Sequence, residues 1–339
     1  MKEIQKKNKI IIFLILMLVA SLTYLFADKI SNNLKNFLID HFSIIECNNR
    51  MMVHFISVGQ GDAIAVNLPN DEILVIDTGP KSTAVTFTNY IKDKVLNNRR
   101  DRIIDYLILT HADADHIGGA LRLLNEFQVK NIYVPFLEST SSTYLELINF
   151  IKNGDYNLIT ALSDDLVSNE YGVQIFGPFE ASDANDTCPI IRLEYLNVSF
   201  LFTGDISTEI EDLLLLEYYN EIDSDIVKIA HHGSKYSSSL EFLQAVSPKY
   251  AVISCGNNSY GHPTDIVLNN ITEVDATTMR TDIAGNILFS VREENNFDLL
   301  TGEYNITGFI IDYRFFILVF DLIMLVCVCI LLLKKEKQR

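Results

Sequence analysis

The chain has 339 residues, of which 48% are hydrophobic, and its formal net charge at pH 7 is −17. This hydrophobic content is high for a soluble protein, and the five cysteines give no disulfide framework. The acidic charge favours solubility and repels phosphate backbones, so broad non-specific binding of nucleic acid would need metal ions or a basic partner.

Much of the apolar content lies near the two ends of the chain. Residues 10–27 and 315–333 are apolar over 18 and 19 positions, a length that crosses a bilayer as a helix. Lysine-rich tails, 1–9 and 334–339, flank these segments, so the positive-inside rule places both tails in the cytoplasm at the cell membrane. A cleaved signal peptide is the alternative for the first segment, although Leu25-Phe26-Ala27 is a poor cleavage site.

The second apolar segment contains a carboxylate, Asp321. A charge at this depth is costly among membrane lipids. It predicts a membrane-protein partner that pairs with Asp321, with protonation or a displaced span as the alternatives.

The region between the two spans is predicted to lie outside the cell membrane. Residues 28–50 form a juxtamembrane stalk, residues 51–292 an α/β domain, and residues 293–314 a linker. Strands are predicted at 52–58, 63–68, 73–77, 103–109, 131–134, 173–176, 190–195, 199–203, 226–230, 250–254 and 287–291. Helices are predicted at 82–96, 207–219, 238–246 and 267–272, with a further helix opening at residue 117. A meander followed by alternating strands and helices indicates a layered α/β domain.

The strongest chemical signal is the run Thr110-His111-Ala112-Asp113-Ala114-Asp115-His116, directly after a predicted buried strand. Its four potential ligands, the two histidines and the two aspartates, suit Zn²⁺, Mn²⁺ or Fe. Two further clusters also follow strands: Asp205, and the adjacent pair His231 and His232. His262 lies in a fourth polar segment, whereas His41 and His54 are assigned to the surface or a strand face.

These segments together resemble the metallo-β-lactamase superfamily, and within it the extracytoplasmic hydrolase domain of ComEC-type DNA-uptake (competence) proteins. The resemblance covers residues 51–291 in order. Its motifs are Val58-Gly59-Gln60-Gly61-Asp62-Ala63, Ile76-Asp77-Thr78-Gly79, the run from Thr110 to Gly119, Thr203-Gly204-Asp205, Ala230-His231-His232-Gly233-Ser234 and Asn258-Ser259-Tyr260-Gly261-His262-Pro263.

The resemblance implies a four-layer αββα sandwich, flanked here by one transmembrane helix at each end, with two divalent metal ions, Zn or Mn. It assigns His111 and Asp113 to one metal ion. It assigns Asp115, His116 and His231 to the other ion, and Asp205 to both. Asp62 and Asp77 are expected to hold ligand histidines, and Asp115, His232 and His262 to act in catalysis.

The chain departs from the superfamily pattern in ways that weaken the first metal site. Asp113 replaces a more usual histidine, which favours Mn²⁺ or weakly held Zn²⁺. Another histidine ligand is missing, because residues 117–230 contain none. In the segment around Asn185, Cys188 is a candidate replacement ligand or a small buried thiol. Ser57 replaces an aspartate, which affects a contact to substrate or to a ligand.

Two metal ions can lower the pKa of a bound water and supply hydroxide, so the resemblance implies a membrane-anchored phosphodiesterase or nuclease acting on DNA. Ser234, like His232 and His262, is placed either to orient substrate or to support a ligand. One alternative is a hydrolase of a cell-envelope phosphodiester or of a small lactam or lactone. Another is a non-enzymatic, metal-stabilised binding module.

Overall fold

The computed structural model describes residues 44–46, 50–96, 101–134, 139–159, 172–177, 179, 183, 185–302 and 305–307. The strands in these ranges are β1 (Ile44–Glu46), β2 (Met51–Phe55), β3 (Ile64–Asn67), β4 (Ile73–Ile76), β5 (Ile103–Ile108), β6 (Gln128–Tyr133), β7 (Asn157–Ile159), β8 (Gly172–Phe176), β9 (Ile190–Tyr195), β10 (Val198–Phe202), β11 (Ile226–Lys228), β12 (Tyr250–Ile253), β13 (Thr277–Arg280), β14 (Ile287–Glu293), β15 (Asn296–Thr301) and β16 (Asn305–Thr307).

The helices in the same ranges are α1 (Ala84–Tyr90), α2 (Ala114–Ile117), α3 (Ala120–Glu126), α4 (Ser142–Asn153), α5 (Thr208–Tyr218), α6 (Leu240–Val246), α7 (Asp265–Glu273) and α8 (Thr281–Ala284). A 3₁₀ turn, Lys81–Thr83, precedes α1, and a π-helical turn, Ile91–Val95, follows it. The predicted helix over 82–96 is therefore one helical segment with three hydrogen-bonding patterns.

The chain divides into two units. Residues 1–46 and 305–339 form one unit, in which β1 and β16 pair in parallel. Residues 47–304 form the other unit, which contains two large sheets.

The two sheets have mixed strand directions. The eight-stranded sheet has the order β15-β14-β2-β3-β4-β5-β6-β7, and its last four strands run parallel. The six-stranded sheet has the order β13-β12-β11-β10-β9-β8, with β10 to β13 parallel. Because parallel strands end at the same edge of a sheet, the loops that follow them meet there.

The sheets pack face to face through apolar side chains. Phe289 of the larger sheet lies 5.8 Å from Phe200 of the smaller sheet, measured between ring centroids. Helices α5, α6 and α7 cover the outer face of the smaller sheet with Leu214, Leu243 and Ile271. Helix α3 and the turn Ile91–Val95 contact the larger sheet at β6 and β3. This arrangement is the αββα sandwich that the resemblance implied.

The structure differs from the sequence prediction in the segment after residue 292. Strand β15 lies inside the predicted linker and pairs antiparallel with β14, so the sheet continues to Thr301. Helix α4 was not predicted from the sequence. Its N-terminus is capped by the Ser141 side chain, which accepts a hydrogen bond from the Tyr144 amide. Only Leu147 and Ile151 of α4 are buried, and this short apolar stripe is a weak sequence signal.

Within the described ranges, no helix is both long and apolar enough to cross a bilayer. The predicted spans at 10–27 and 315–333, with Asp321, lie outside those ranges. The predicted stalk, 28–50, is described at 44–46, which form β1, and at residue 50.

The histidine on β2, His54, is fully buried and neutral. Its Nε2 lies 2.9 Å from Asn67 Oδ1 and its Nδ1 2.9 Å from the Tyr90 hydroxyl oxygen. The Asn67 amide nitrogen donates to the Val95 carbonyl, which leaves Asn67 Oδ1 as an acceptor for the His54 ring. Burial lowers the pKa of His54 to about 4, although the hydrogen bond to Asn67 opposes this shift.

This buried histidine makes stability depend on pH. The unfolded chain takes up a proton near pH 6.5, whereas folded His54 resists protonation down to about pH 4. The contribution of neutral His54 to the free energy of unfolding is therefore present above pH 6.5, and it is lost as the pH falls towards 4. As the pH falls, this effect should lower the free energy of unfolding of the wild type by up to about 3 kcal/mol. We expect this decrease to be missing in His54→Gln. Urea unfolding of both proteins from pH 7 to pH 4 measures the difference, and parallel pH profiles would contradict it.

Candidate metal centre

The polar segments predicted from the sequence lie at the ends of parallel strands. Asp77 follows β4 and the 110–119 segment follows β5, and these strands are neighbours in the larger sheet. Asp205 follows β10 and the His231-His232 pair follows β11, which are neighbours in the smaller sheet. The order of the strands therefore explains how residues up to 155 positions apart reach one site.

Three buried histidines, His111, His116 and His232, are fixed through their Nδ1 atoms. The Nδ1 atom of His111 lies 3.1 Å from Thr110 Oγ1, and that of His116 lies 2.7 Å from Asp77 Oδ2. The Nδ1 of His232 lies 2.8 Å from the Ser254 carbonyl oxygen. Among the described residues, no hydrogen-bond partner reaches the Nε2 atom of any of the three. Rings held at one nitrogen and free at the other are typical of metal ligands.

The free Nε2 atoms face carboxylates. Asp205 Oδ2 lies 3.2 Å from His116 Nε2 and 3.4 Å from His232 Nε2. Asp115 Oδ2 lies 3.3 Å from His232 Nε2, and Asp113 Oδ2 lies 3.7 Å from His111 Nε2. Three overlapping sets have ligand atoms within 4.8 Å of one another, and His116 belongs to all of them. Its partners are His111 and Asp205 in the first set, Asp115 and His232 in the second, and Asp62 and Asp77 in the third. Imidazole and carboxylate donors in this number fit divalent metal ions.

The carboxylates change the proton affinity of these histidines. Burial alone would lower the pKa of His116, but Asp205 and Asp77 outweigh it and hold that pKa well above 6.5. Burial also acts to lower the pKa of His232, but Asp205 and Asp115 outweigh it and raise that pKa to about 10. At His111, Cys188 and Asp113 overcome burial and raise the pKa to about 10. The centre therefore attracts positive charge, whether protons or metal ions.

His231 and His262 differ from these three histidines. Both are partly exposed, and burial lowers the pKa of each. Their ring centroids lie 5.7 Å apart, and no hydrogen-bond partner among the described residues reaches His262 Nδ1. Within the described residues, the grouped ligand atoms include His232 and not His231. The structure thus directs His232 towards the carboxylates, whereas the resemblance assigned His231 to the metal ion.

The backbone at this pair is strained. His231 and His232 have φ values of 48° and 54°, and Gly233 follows with φ +85°. Non-glycine residues rarely adopt this left-handed conformation, and it persists where surrounding contacts enforce it. The His231 amide donates to the Gly204 carbonyl, and the Gly233 carbonyl accepts from the Thr264 amide. The sharp turn directs the two adjacent imidazoles to different surroundings.

Aspartates beneath the centre hold its parts together. Asp77 accepts hydrogen bonds from the Thr110 amide (2.8 Å) and hydroxyl (2.6 Å) as well as facing His116. Asp62 is 2% exposed, and its Oδ1 lies 3.5 Å from His232 Nδ1. The turn before it packs closely, because a Cβ on Gly61 would lie 2.3 Å from the Asp115 carbonyl oxygen. The structure thus supplies a steric reason for glycine at position 61.

Three other predicted residues lie outside the ligand groups. Cys188 is fully buried, with Sγ 3.4 Å from His111 Nδ1, the nitrogen opposite the free one, and it accepts from the Asp205 amide at 3.5 Å. Within the described residues, the grouped ligand atoms do not include this thiol. Ser234 Oγ accepts from the Tyr236 amide. Asn185 begins a 3₁₀ turn, and its carbonyl accepts from the Cys188 amide. Ser57, which replaces the aspartate of the family pattern, donates hydrogen bonds from its amide to Asn286 Oδ1 and from its hydroxyl to the Thr281 carbonyl.

Sequence reasoning assigned no role to Thr110, Ser254 or Lys228. Thr110 and Ser254 hold ligand histidines through a hydroxyl and a carbonyl, and such contacts leave no sequence signal. Lys228 is fully buried beside Asp62 and Asp205. A lysine within the apolar run Ile226–Ile229 was a signal that could have found it, because lysine is almost never fully buried without a partner.

The family model of the metallo-beta-lactamase superfamily matches residues 56–257. ComE operon protein 3 of Bacillus subtilis (strain 168) is 32% identical over 260 residues, covering 70% of this chain and 32% of that protein. Competence protein ComA of Neisseria gonorrhoeae is 31% identical over 247 residues, covering 72% of this chain and 33% of that protein. The chain spans about a third of the length of these curated relatives.

Among solved structures, the metallo-beta-lactamase fold protein YhfI from Bacillus subtilis is similar to this chain with a TM-score of 0.48. The two are 13% identical, and the match covers 72% of this chain and 100% of YhfI.

The contacts of Asp77 lead to a prediction about metal affinity. In Asp77→Asn, an amide can no longer serve both Thr110 donors and His116 Nδ1, so the His116 ring loses its fixed orientation. We expect the affinity for Mn²⁺ or Zn²⁺ to fall about 10- to 100-fold, measured by titration against a chelator.

Asp105→Asn is the matched control. Asp105 is also buried, and it accepts hydrogen bonds from the Ile73 amide and from Lys130, away from the histidines. An unchanged affinity in Asp77→Asn, or an equal fall in Asp105→Asn, would contradict the expected role.

Proposed function

Because the chain belongs to the metallo-beta-lactamase superfamily and is related to competence proteins, we propose that it is a metal-dependent hydrolase that cleaves phosphodiesters, with DNA as the leading substrate. The observation that carries this proposal is the set of three fixed imidazoles whose free Nε2 atoms face Asp205, Asp113 and Asp115. Asp113 and Asp115 are 55% and 35% exposed, so the centre opens to solvent.

We assign the ligands from these contacts. One ion would be held by His111, Asp113 and Asp205. The other would be held by Asp115, His116 and His232, with Asp205 shared, so that His232 takes the role first given to His231. The first set has fewer imidazoles and should bind its ion more weakly. Three carboxylates in the two sets favour Mn²⁺ or loosely held Zn²⁺.

Bound divalent ions would supply Lewis acidity and a water of lowered pKa. Asp115 is the proposed proton acceptor, because its carboxylate is partly exposed while that of Asp205 is buried. Burial would raise the pKa of Asp115, but His232 and His116 hold it down at about 2, so it is ionised at neutral pH. His262 packs against His231, and its buried Nδ1 has no hydrogen-bond partner among the described residues. Because burial lowers its pKa, we assign it to orienting the substrate, with protonation of a leaving group as the alternative.

Two alternatives remain distinct from a nuclease. The strongly acidic charge favours a small substrate, such as a cell-envelope phosphodiester or a lactam or lactone, because a small substrate needs no basic groove. A non-enzymatic binding module would have a closed structural metal site, and the exposure of Asp113 and Asp115 argues against it.

The proposed location follows from the sequence. With spans at 10–27 and 315–333, the hydrolase domain would lie outside the cell membrane, and Asp321 would pair with a membrane-protein partner. Nucleic acid or an envelope polymer would then be the accessible phosphodiester.

The activity is tested with the purified full-length chain, stripped of metal and reloaded with Mn²⁺ or Zn²⁺. We expect cleavage of labelled DNA and of bis-(p-nitrophenyl) phosphate that depends on the added metal. Asp115→Ala should lose this activity by at least about 100-fold while its circular dichroism spectrum stays unchanged. Asp183→Ala, which removes a carboxylate outside the ligand groups, is the control.

Each result of this assay separates the candidates. Cleavage of the small diester alone would replace DNA with a small or envelope substrate. Absence of cleavage on both, with metal bound, would sink the phosphodiesterase proposal, and equal activity in Asp115→Ala would sink the assigned centre.

The assignment of His232 rather than His231 has its own test. His231→Asn and His232→Asn are matched variants, because asparagine tolerates the left-handed backbone at both positions. We expect His232→Asn to lose one bound ion per chain, measured by elemental analysis after dialysis. His231→Asn should keep the wild-type metal content. The reverse pattern would return the ligand role to His231.

A further inference from the structure

Lys228 is a fully buried lysine at the end of β11, between the apolar residues Val227 and Ile229. Burying an ammonium group is costly unless charged and hydrogen-bonding partners surround it. Its backbone is also fixed, because the Thr203 hydroxyl donates to the Lys228 carbonyl at 2.7 Å. The position of this ammonium group therefore needs an explanation beyond apolar packing.

The Lys228 ammonium has three oxygen partners. Its Nζ donates to the Gly204 carbonyl at 2.7 Å and lies 3.3 Å from Asp205 Oδ1. It also forms an ion pair with Asp62 Oδ2. Asp62 and Asp205 are 2% and 4% exposed, so neither charge is compensated by water. Each ammonium proton thus has an acceptor, and two buried carboxylates share one cation.

The two oxygens of Asp205 have different roles as a result. Oδ1 faces Lys228, whereas Oδ2 faces His116 Nε2 and His232 Nε2. Asp62 is divided in the same way, with Oδ2 on Lys228 and Oδ1 3.5 Å from His232 Nδ1. The ammonium group therefore contacts one oxygen of each carboxylate and leaves the other oxygen towards His232, while Asp62 Oδ2 also lies 3.9 Å from His116 Nδ1.

We propose that Lys228 is a positioning residue that acts as a resident cation of the centre. It compensates Asp62 and Asp205 before metal binds, and it leaves Asp205 with a single oxygen, Oδ2, for metal ions. This proposal rests on the proposed metal centre, but it does not depend on which substrate is cleaved.

The test uses the full-length chain with Lys228→Met, which keeps most of the side-chain volume and removes the charge. Without metal, Asp62 would lose its ammonium partner and Asp205 would keep only the histidines as cationic neighbours, so we expect Tm to fall by about 10 °C. Added Mn²⁺ should raise the Tm of the variant more than it raises that of the wild type, because the ion replaces the missing charge. The visible spectrum of bound Co²⁺ should also change, since Asp205 is free to offer both oxygens.

Two further variants identify the cause. Lys249→Met removes an ion pair with Asp225 (2.7 Å) from an exposed lysine and should leave both the Tm and the Co²⁺ spectrum unchanged. Lys228→Met combined with Asp62→Asn removes one charge of each sign, and we expect it to recover at least half of the lost Tm in the metal-free protein.

Some results would overturn the proposal. A metal-free Lys228→Met as stable as Lys249→Met, or one with an unchanged Co²⁺ spectrum, would show that Lys228 does not position Asp205. Failure of the double variant to fold, like that of Lys228→Met, would show that removing the Asp62 charge does not restore the balance, which would overturn the role of Lys228 as the cation of Asp62. Loss of DNA or diester cleavage does not enter this test, so it can succeed even if the proposed substrate is wrong.

Discussion

The burial of several carboxylates at one edge of the sandwich is the constraint on which the rest of the centre depends. Asp62, Asp77 and Asp205 are all nearly inaccessible to water, and each would be strongly unfavourable without a nearby cation or hydrogen-bond donor. The fold supplies donors from Thr110 to Asp77 and an ammonium group from Lys228 to the other two. The carboxylates also act on the histidines, which explains why the pKa values of His116 and His232 are raised in spite of burial.

The same constraint accounts for unusual backbone at the site. The turn through His231 and His232 adopts the left-handed conformation twice in succession, which separates two neighbouring imidazoles. One turns into the carboxylate cluster and is held by the Ser254 carbonyl, while the other stays at the partly exposed side near His262. Strain of this kind is kept where surrounding contacts fix it, and here those contacts come from Gly204 and Thr264 on adjoining loops.

The charge of the whole chain bears on the proposed chemistry. At −17 the protein repels polyanions at long range, yet its centre concentrates negative charge that metal ions would neutralise. Binding of metal ions and approach of an anionic substrate would therefore be coupled, because the bound ions would offset the negative charge at the centre. Such coupling suits a phosphodiester group. It carries one negative charge, which a single neutralised site can bind without a long basic groove.

The sequence by itself indicated a layered α/β domain and the loops that carry the chemistry, because strand periodicity and polar residues directly after strands are local signals. The two-sheet sandwich was implied by the family resemblance of the motifs. The sequence also indicated His111, Asp113, Asp115 and His116 as neighbours, since they share one short loop. The resemblance assigned His231 to the metal ion, and the residue types alone could not show that the backbone turn brings His232, the proposed ligand, to the carboxylates. Nor could the sequence place Lys228 between Asp62 and Asp205, or Cys188 behind His111. Those contacts join residues that are separated in the sequence and lie at or beyond the ends of strands, and only the folded arrangement of the strands brings them within hydrogen-bonding distance.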